Sequence, residues 1–129
     1  MARAHVMLHK NARIVHIDLS NASFHDIQQA VSDAKPHIQG QPAKSVLCWV
    51  KTEGTKISTE ISSLLKEFTL QNKPFIKMTA ITGVEGVQKV VISAIIMFTK
   101  RDNLVVKNNR EEALDFLASI GNKAETVGA

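Results

Sequence analysis

Residues 79–103 read "TAITGVEGVQKVVISAIIMFTKRDN", and how this stretch is read decides what kind of chain carries it. Gly83 and Gly86 precede a run from Val90 to Phe98 in which Ser93 is the only polar residue, and Lys100-Arg101-Asp102 follow. A nucleotide P-loop needs Gly-Lys followed by Ser or Thr, so that lysine and hydroxyl reach phosphate and Mg²⁺; "GVEGVQK" has neither. A dinucleotide loop needs three glycines in the spacing Gly-x-Gly-x-x-Gly, and two stand here. An RNA-clamping Gly-x-x-Gly loop would not hold an anion, Glu85, at its centre or follow a strand. The apolar run is too short for a bilayer, which needs about 20 residues. What remains is a strand, a glycine turn and a core helix. Gly83 ends the strand, Gly86 is expected to let the first helical turn sit close to a sheet, and Glu85 complements the positive helix N-terminus.

On that helix, at about 100° per residue, Val84, Val87, Val90, Val91, Ala94, Ile95, Met97 and Phe98 fill one broad arc. Glu85, Gln88, Lys89, Ser93 and Lys100 fill the other, and Ile92 and Ile96 fall among them, one turn apart. An aliphatic pair rimmed by charge marks a contact with a protein partner, a second copy of the chain or lipid; the alternative is that a loop, a neighbouring helix or the tail covers it.

The same reading extends outward. "HVMLH" and "RIVHIDL" are β-rich and separated by "KNA", a hairpin with Asn11 in its turn. Ser23, with Asp26 three residues on, opens a helix whose apolar positions are Ile27, Ala30, Val31 and Ala34, and Pro36 is expected to end or kink it. "SVLCWV" has the continuous apolarity of a strand covered on both faces. From Ser58 a helix carries Ile61, Leu64, Leu65 and Phe68 on one stripe until Asn72-Lys73-Pro74 stops it, and "FIKMTAI" is the next strand. "NLVV" is a short strand; Asn109, with Glu112 three residues on, caps a last helix with Leu114, Leu117 and Ile120 inward, and Gly121 reads as its stop. The order ββαβαβαβα predicts one α/β domain over 1–129, mostly parallel, with an antiparallel edge strand and a frayed tail from 121 to 129.

Composition agrees with a single ordinary domain: 129 residues, 44% hydrophobic and 22% charged. One cysteine, Cys48, rules out a disulfide within the chain and suits a reducing, cytoplasmic setting. The opening "MARAHVMLHKNAR" has no apolar core or cleavage site of a signal peptide, and no transmembrane segment is expected. The net charge of +4 is spread singly, with Lys100-Arg101 the adjacent pair, and one Trp, five Phe and no Tyr offer few stacking platforms. Nucleic acid is therefore not the expected partner.

Candidate chemistry is sparse. His5, His9, His16, His25 and His37 all fall in the first 37 residues. His16 and Asp18 share a strand face with Ser20 following, yet nearness in sequence is not triad geometry. No set of ligands converges for zinc. Lys77 lies mid-strand where a parallel sheet is normally apolar; it is expected to pair with Asp18 or Glu53, the other reading being a desolvated amine for Schiff-base chemistry. No catalytic residue, metal or cofactor is implied; an activity around His16, Asp18 and Lys77 is the alternative.

"IDLSN" at 17–21, "KSVLCWVKTEGT" at 44–55, "LLKEFTLQNKPFIKMTAITGVEGVQKVV" at 64–91 and "FTKRDNLVVKNNREEALDFL" at 98–117 together resemble the SpoIIAA-like (STAS/SEC14-like) family of small bacterial proteins, within the STAS superfamily. The resemblance implies a layered α/β fold, frequent dimers and no catalysis. In classical anti-sigma factor antagonists a serine beside the helix after the middle strand is phosphorylated, switching off a kinase partner. The matching segment "WVKTEGTKISTE" lacks the Asp-Ser pair and leaves Ser58 as the phosphosite candidate. The expected function is a non-enzymatic binding module acting through a protein partner or self-association. The SEC14-like side of the family implies instead a carrier of an apolar small molecule or lipid between helices and sheet, which the aliphatic third helix with Met97 and Phe98 would suit.

Overall fold

The N-terminal hairpin forms the edge of the sheet. β1 (Ala4–His9) and β2 (Ala12–Asp18) pair antiparallel across Lys10 and Asn11, both at positive φ, 49° and 69°. Two successive left-handed residues give the tight turn whose twist matches the flanking strands. The chain is seen as a computed structural model that describes residues 3–56, 58–99 and 103–128, so Lys100-Arg101-Asp102 lie outside the described residues.

Local signals then place the helices. Before α1 (Phe24–Ile38), Ser23 Oγ accepts from the Asp26 N–H and the Asp26 carboxylate accepts from the Ser23 N–H, each at 3.1 Å. Both bonds satisfy donors that the first helical turn leaves without partners. Ile27, Ala30, Val31 and Ala34 are buried as their spacing predicts. Pro36 neither ends nor divides the helix, which continues through it to Ile38; the bond from the Gln39 N–H to the Lys35 carbonyl, 2.9 Å, closes the turn beyond it.

β3 (Val46–Lys51), β4 (Ile76–Thr82) and β5 (Leu104–Val106) add in parallel, giving a five-stranded sheet in the order β1-β2-β3-β4-β5. Between them run α2 (Thr59–Asn72) and α3 (Val87–Thr99), and α4 (Arg110–Gly128) follows β5. This is the mostly parallel α/β sheet with one antiparallel edge strand, and the order ββαβαβαβα, that the sequence predicts. Alternation along each strand divides the core in two. Val15, Ile17 and Cys48 meet α1 and α2 on one face, Ile81 and Val84 meet α3 at its side, and Ile14, Leu47, Trp49 and Ala80 meet α4 on the opposite face.

Asn109 caps α4 as expected, its Oδ1 accepting from the Glu112 N–H at 2.9 Å. Gly121 does not stop the helix, and the frayed tail expected from 121 is helical backbone as far as Gly128. A Cβ at Gly121 would lie 3.2 Å from Leu47 Cδ1 and 3.5 Å from Ala12 Cβ. The glycine is there because α4 runs against the sheet at that point.

Candidate functional site

The helices do not all approach the sheet equally. α4 meets it through Ala113 and Ala118 and α1 through Ala30 and Ala34, all fully buried, and small side chains let backbones come close. α2 and α3 carry large aliphatic and aromatic groups instead, and their backbones lie nearer to each other than to the strands beneath. A cavity of about 90 Å³, counted over the centres of water-sized molecules, remains between them and the sheet; the wider empty space of about 860 Å³ includes solvent at its mouth.

Ile17, Cys48, Val50, Thr79 and Ile81 form the floor of this cavity. Leu65 and Phe68 of α2 and Ile92, Ile95 and Ile96 of α3 form its roof. At the end where α1 and α2 finish and β4 begins stand Ile38, Asn72 and Ile76. Among the described residues no charged side chain lines the cavity. The hydroxyl of Thr52 donates to the Thr82 carbonyl at 2.8 Å and that of Thr55 to the Leu19 carbonyl. Asn72 differs: it is 2% exposed, and neither its Oδ1 nor its Nδ2 has a hydrogen-bond partner among the described residues. A buried polar group left without a partner costs about 1–3 kcal/mol. From the sequence, Asn72 reads only as a helix stop.

Ile92 and Ile96 are not the exposed pair that the helical wheel suggests. Ile92 is 8% exposed and packs with Ile81 and Val84, with Ile96 half-buried beside it. The outward stripe of α3 is Val90, 70% exposed, Ala94 and Met97, 79% exposed. The side chain of Phe98 lies outside the described residues. Gln88 accounts for the rotation. Its Nε2 donates to the carbonyls of Thr52, at 3.3 Å, and Thr55, and its Oε1 accepts from the Glu85 N–H at 3.2 Å. A residue expected outside is thereby turned inward, and Ile92 and Ile95, four and seven positions on, follow it.

The glycine loop, which lacks a phosphate-binding pattern, packs against Glu53. Gly83 has φ +82°, and a Cβ there would fall 2.5 Å from the Glu53 backbone N and 2.6 Å from its side-chain Cδ. Glu53 and Glu85 both line the cleft beside this loop, together with Lys56. Gly86 has φ +55° with open space around its Cβ position, so it serves the turn and not a close approach to the sheet.

Asp18 and Lys77 do not meet. Asp18 lies in register with Lys51, and Lys51 with Thr82, so Lys77 is far down β4, at the bulge between Val46 and Leu47. Burial disfavours the charged form of Asp18, but hydrogen bonds from Ser20 Oγ, 2.5 Å, and Ser20 N–H, 2.9 Å, with the Lys51 charge, outweigh it and hold the carboxyl below its usual range. Among the described residues Lys77 makes no ion pair, with Glu53 or any other carboxylate. His16 stacks on Trp49 with ring centroids 3.9 Å apart, and its Nδ1 lies 3.2 Å from the Trp49 carbonyl. It is not aimed at Ser20, so no triad forms. Burial pushes its pKa below the usual value, against the pull of the Trp49 carbonyl. Ser58 is the exposed N-cap of α2, its Oγ accepting from the Ile61 N–H at 3.2 Å. His9 pairs with Asp115 at 2.7 Å on the other face. No cluster of metal-ligating side chains is found among the described residues, and none of their helices is long and apolar enough to cross a membrane.

Neither a protein-family model nor a curated protein matches the sequence. Among solved structures the chain is similar to an anti-sigma-factor antagonist (STAS) domain protein from Planctomyces limnophilus, at 16% identity and a TM-score of 0.59, over 90% of this chain and 98% of that one. The architecture defines a layered α/β domain, and its fold is that of a STAS domain, as the sequence resemblance implies.

Proposed function

We propose that this chain is a non-enzymatic binding module whose ligand is an apolar small molecule held between the sheet and helices α2 and α3. The observation that carries the reading is the cavity itself: an uncharged, mainly aliphatic space inside the domain, left by two helices that stand off the sheet. Sites for small molecules are commonly mostly apolar with a few placed polar groups, and Asn72 is such a group here. A space of this kind has no part in packing the fold, since interiors are otherwise dense. The scattered placement of His16, Asp18 and Lys77 supports the non-enzymatic part.

A second reading rests on a different observation, the exposed Val90–Ala94–Met97 stripe on the outside of α3. A continuous apolar stripe on an outward helix face suits a protein contact, and the similar STAS domain protein is described as an anti-sigma-factor antagonist. Self-association through this stripe is the simplest form of the second reading. Native mass spectrometry of the purified chain, repeated after denaturation, tests both. The cavity reading expects an additional mass that leaves on unfolding, or saturable uptake of an aliphatic alcohol by protein isolated empty. A chain that is empty and takes up no aliphatic molecule overturns it; a mass of twice the chain supports the second reading.

A further inference from the structure

The cavity has one corner where a buried polar side chain is left without a partner among the described residues, and its chemistry restricts what can occupy the space. Asn72 presents a donor, Nδ2, and an acceptor, Oδ1, neither of them matched among the described residues, at a position 2% exposed. The hydroxyls of Thr52 and Thr55, at the other end of the cavity, are committed to main-chain carbonyls, and Thr69 and Thr79 also line the space. Among the described residues no lysine, arginine or histidine lines the space, nor does any carboxylate. A charged head group buried there would have no counter-ion among them, and unpaired charge is expelled from such surroundings.

Size restricts it further. A cavity needs roughly 10–15 Å³ of space, counted over the centre of the molecule, to admit a single water, so one of about 90 Å³ has room for several waters or one short aliphatic chain.

We infer that the site takes a neutral, short single-chain amphiphile whose terminal alcohol or primary amide both donates to and accepts from Asn72. Such a group meets both amide atoms at once, which an alkane, an ether or an ionised carboxylate cannot do. Ions fail for a separate reason: phosphate esters and fatty carboxylates keep their charge at neutral pH and find no cation at this corner among the described residues. The inference rests on the apolar-ligand reading and adds the identity of the head group to it.

The test is titration of the full chain with 1-octanol and, separately, with octanoate at pH 8, followed by two-dimensional amide NMR. Expected are saturable shifts of residues lining the cavity with 1-octanol and binding at least tenfold weaker with octanoate. Octanoate binding as tightly as 1-octanol overturns the neutral-head inference while leaving an apolar-ligand site in place. Saturation by neither probe overturns the site altogether. Asn72→Leu supplies a second arm, and the same spectra report whether it is folded. It is expected to weaken 1-octanol at least tenfold. Unchanged 1-octanol affinity in a folded Asn72→Leu chain removes Asn72 as the group that reads the head, as would be found if an ordered water alone occupied the corner. Because the comparison of the two probes uses the unaltered chain, it decides the matter even if that variant does not fold.

Discussion

The two faces of the sheet solve the same packing problem differently. On the α4 face, alanines and a glycine bring the helix down onto Leu47 and Ala12, and Leu114 and Leu117 are buried against the strands. On the opposite face α1 is seated in the same manner, through Ala30 and Ala34, but α2 and α3 are propped up by Leu65, Phe68, Ile92 and Ile95 over a space they do not fill. Close packing stabilises; unfilled space forfeits dispersion contacts. The α4 face and the α1 part of the opposite face are closely packed, and the part under α2 and α3 is not. The difference comes from side-chain size at the helix–sheet contact, since both faces are equally apolar in kind.

Truncation puts that contrast to its hardest test. Leu117→Ala, at a fully buried position on the α4 face, should cost about 2–5 kcal/mol in urea denaturation, the usual range for opening a void in dense packing. Leu65→Ala, half-buried beside an existing cavity, should cost about 1–2 kcal/mol, because part of its contact is already missing and the truncation only widens the space. Equal losses at the two positions would break the comparison, and the space under α2 and α3 would then be tightly packed in solution.

Titration of His16 sharpens the same contrast from the dense side. Its ring is stacked on Trp49 and buried, and burial lowers its pKa from the ordinary value of 6.5. The folded state thus resists taking up a proton that the unfolded chain accepts. Stability is present above the ordinary histidine pKa and is lost as pH falls from there toward the lower folded value. Asp18, also lowered from its ordinary 3.8, adds a further loss, but only as pH falls below that value. Denaturation midpoints measured across pH 7.5 to 5 should therefore decline below about 6.5, and His16→Phe should flatten that decline. A profile unchanged by His16→Phe would show that the ring is solvated and that this part of the sheet is looser than α4 makes it.

What the sequence reveals and conceals follows from how far each cause lies along the chain. The Ser23–Asp26 capping box, the Lys10–Asn11 turn and the stripes of α1 and α4 are local, and each is where its residues predict. Gly121 is misleading because a glycine after the last apolar position reads as a stop, whereas its reason is Leu47, a residue of another element. In α3 nearly every residue from Val90 to Phe98 is apolar, so the helical wheel has little contrast with which to choose a face. The choice is made by Gln88 reaching the Thr52 and Thr55 carbonyls, which no periodicity encodes. The cavity is harder still. Asn72 is a buried amide with no partner among the described residues, in a space that α1, α2 and β4 line together.

The smallest expected effect separates the two sides of α3. Val90→Glu with Met97→Glu alters only the outward stripe, and surface substitutions away from buried features usually change stability by no more than about 0.5 kcal/mol. The doubly charged chain should therefore unfold like the unaltered one and take up 1-octanol equally well, since neither residue lines the cavity. Its assembly is where the readings part. If α3 uses its outer face to pair with a second copy, native mass spectrometry should show a dimer of the unaltered chain and a monomer of the variant at the same concentration. If both are monomers, the stripe carries no self-association and the cavity is the working part of this helix. A variant that loses both stability and 1-octanol would mean that the two sides of α3 are not independent, and that its outer face helps to hold the roof of the cavity in place.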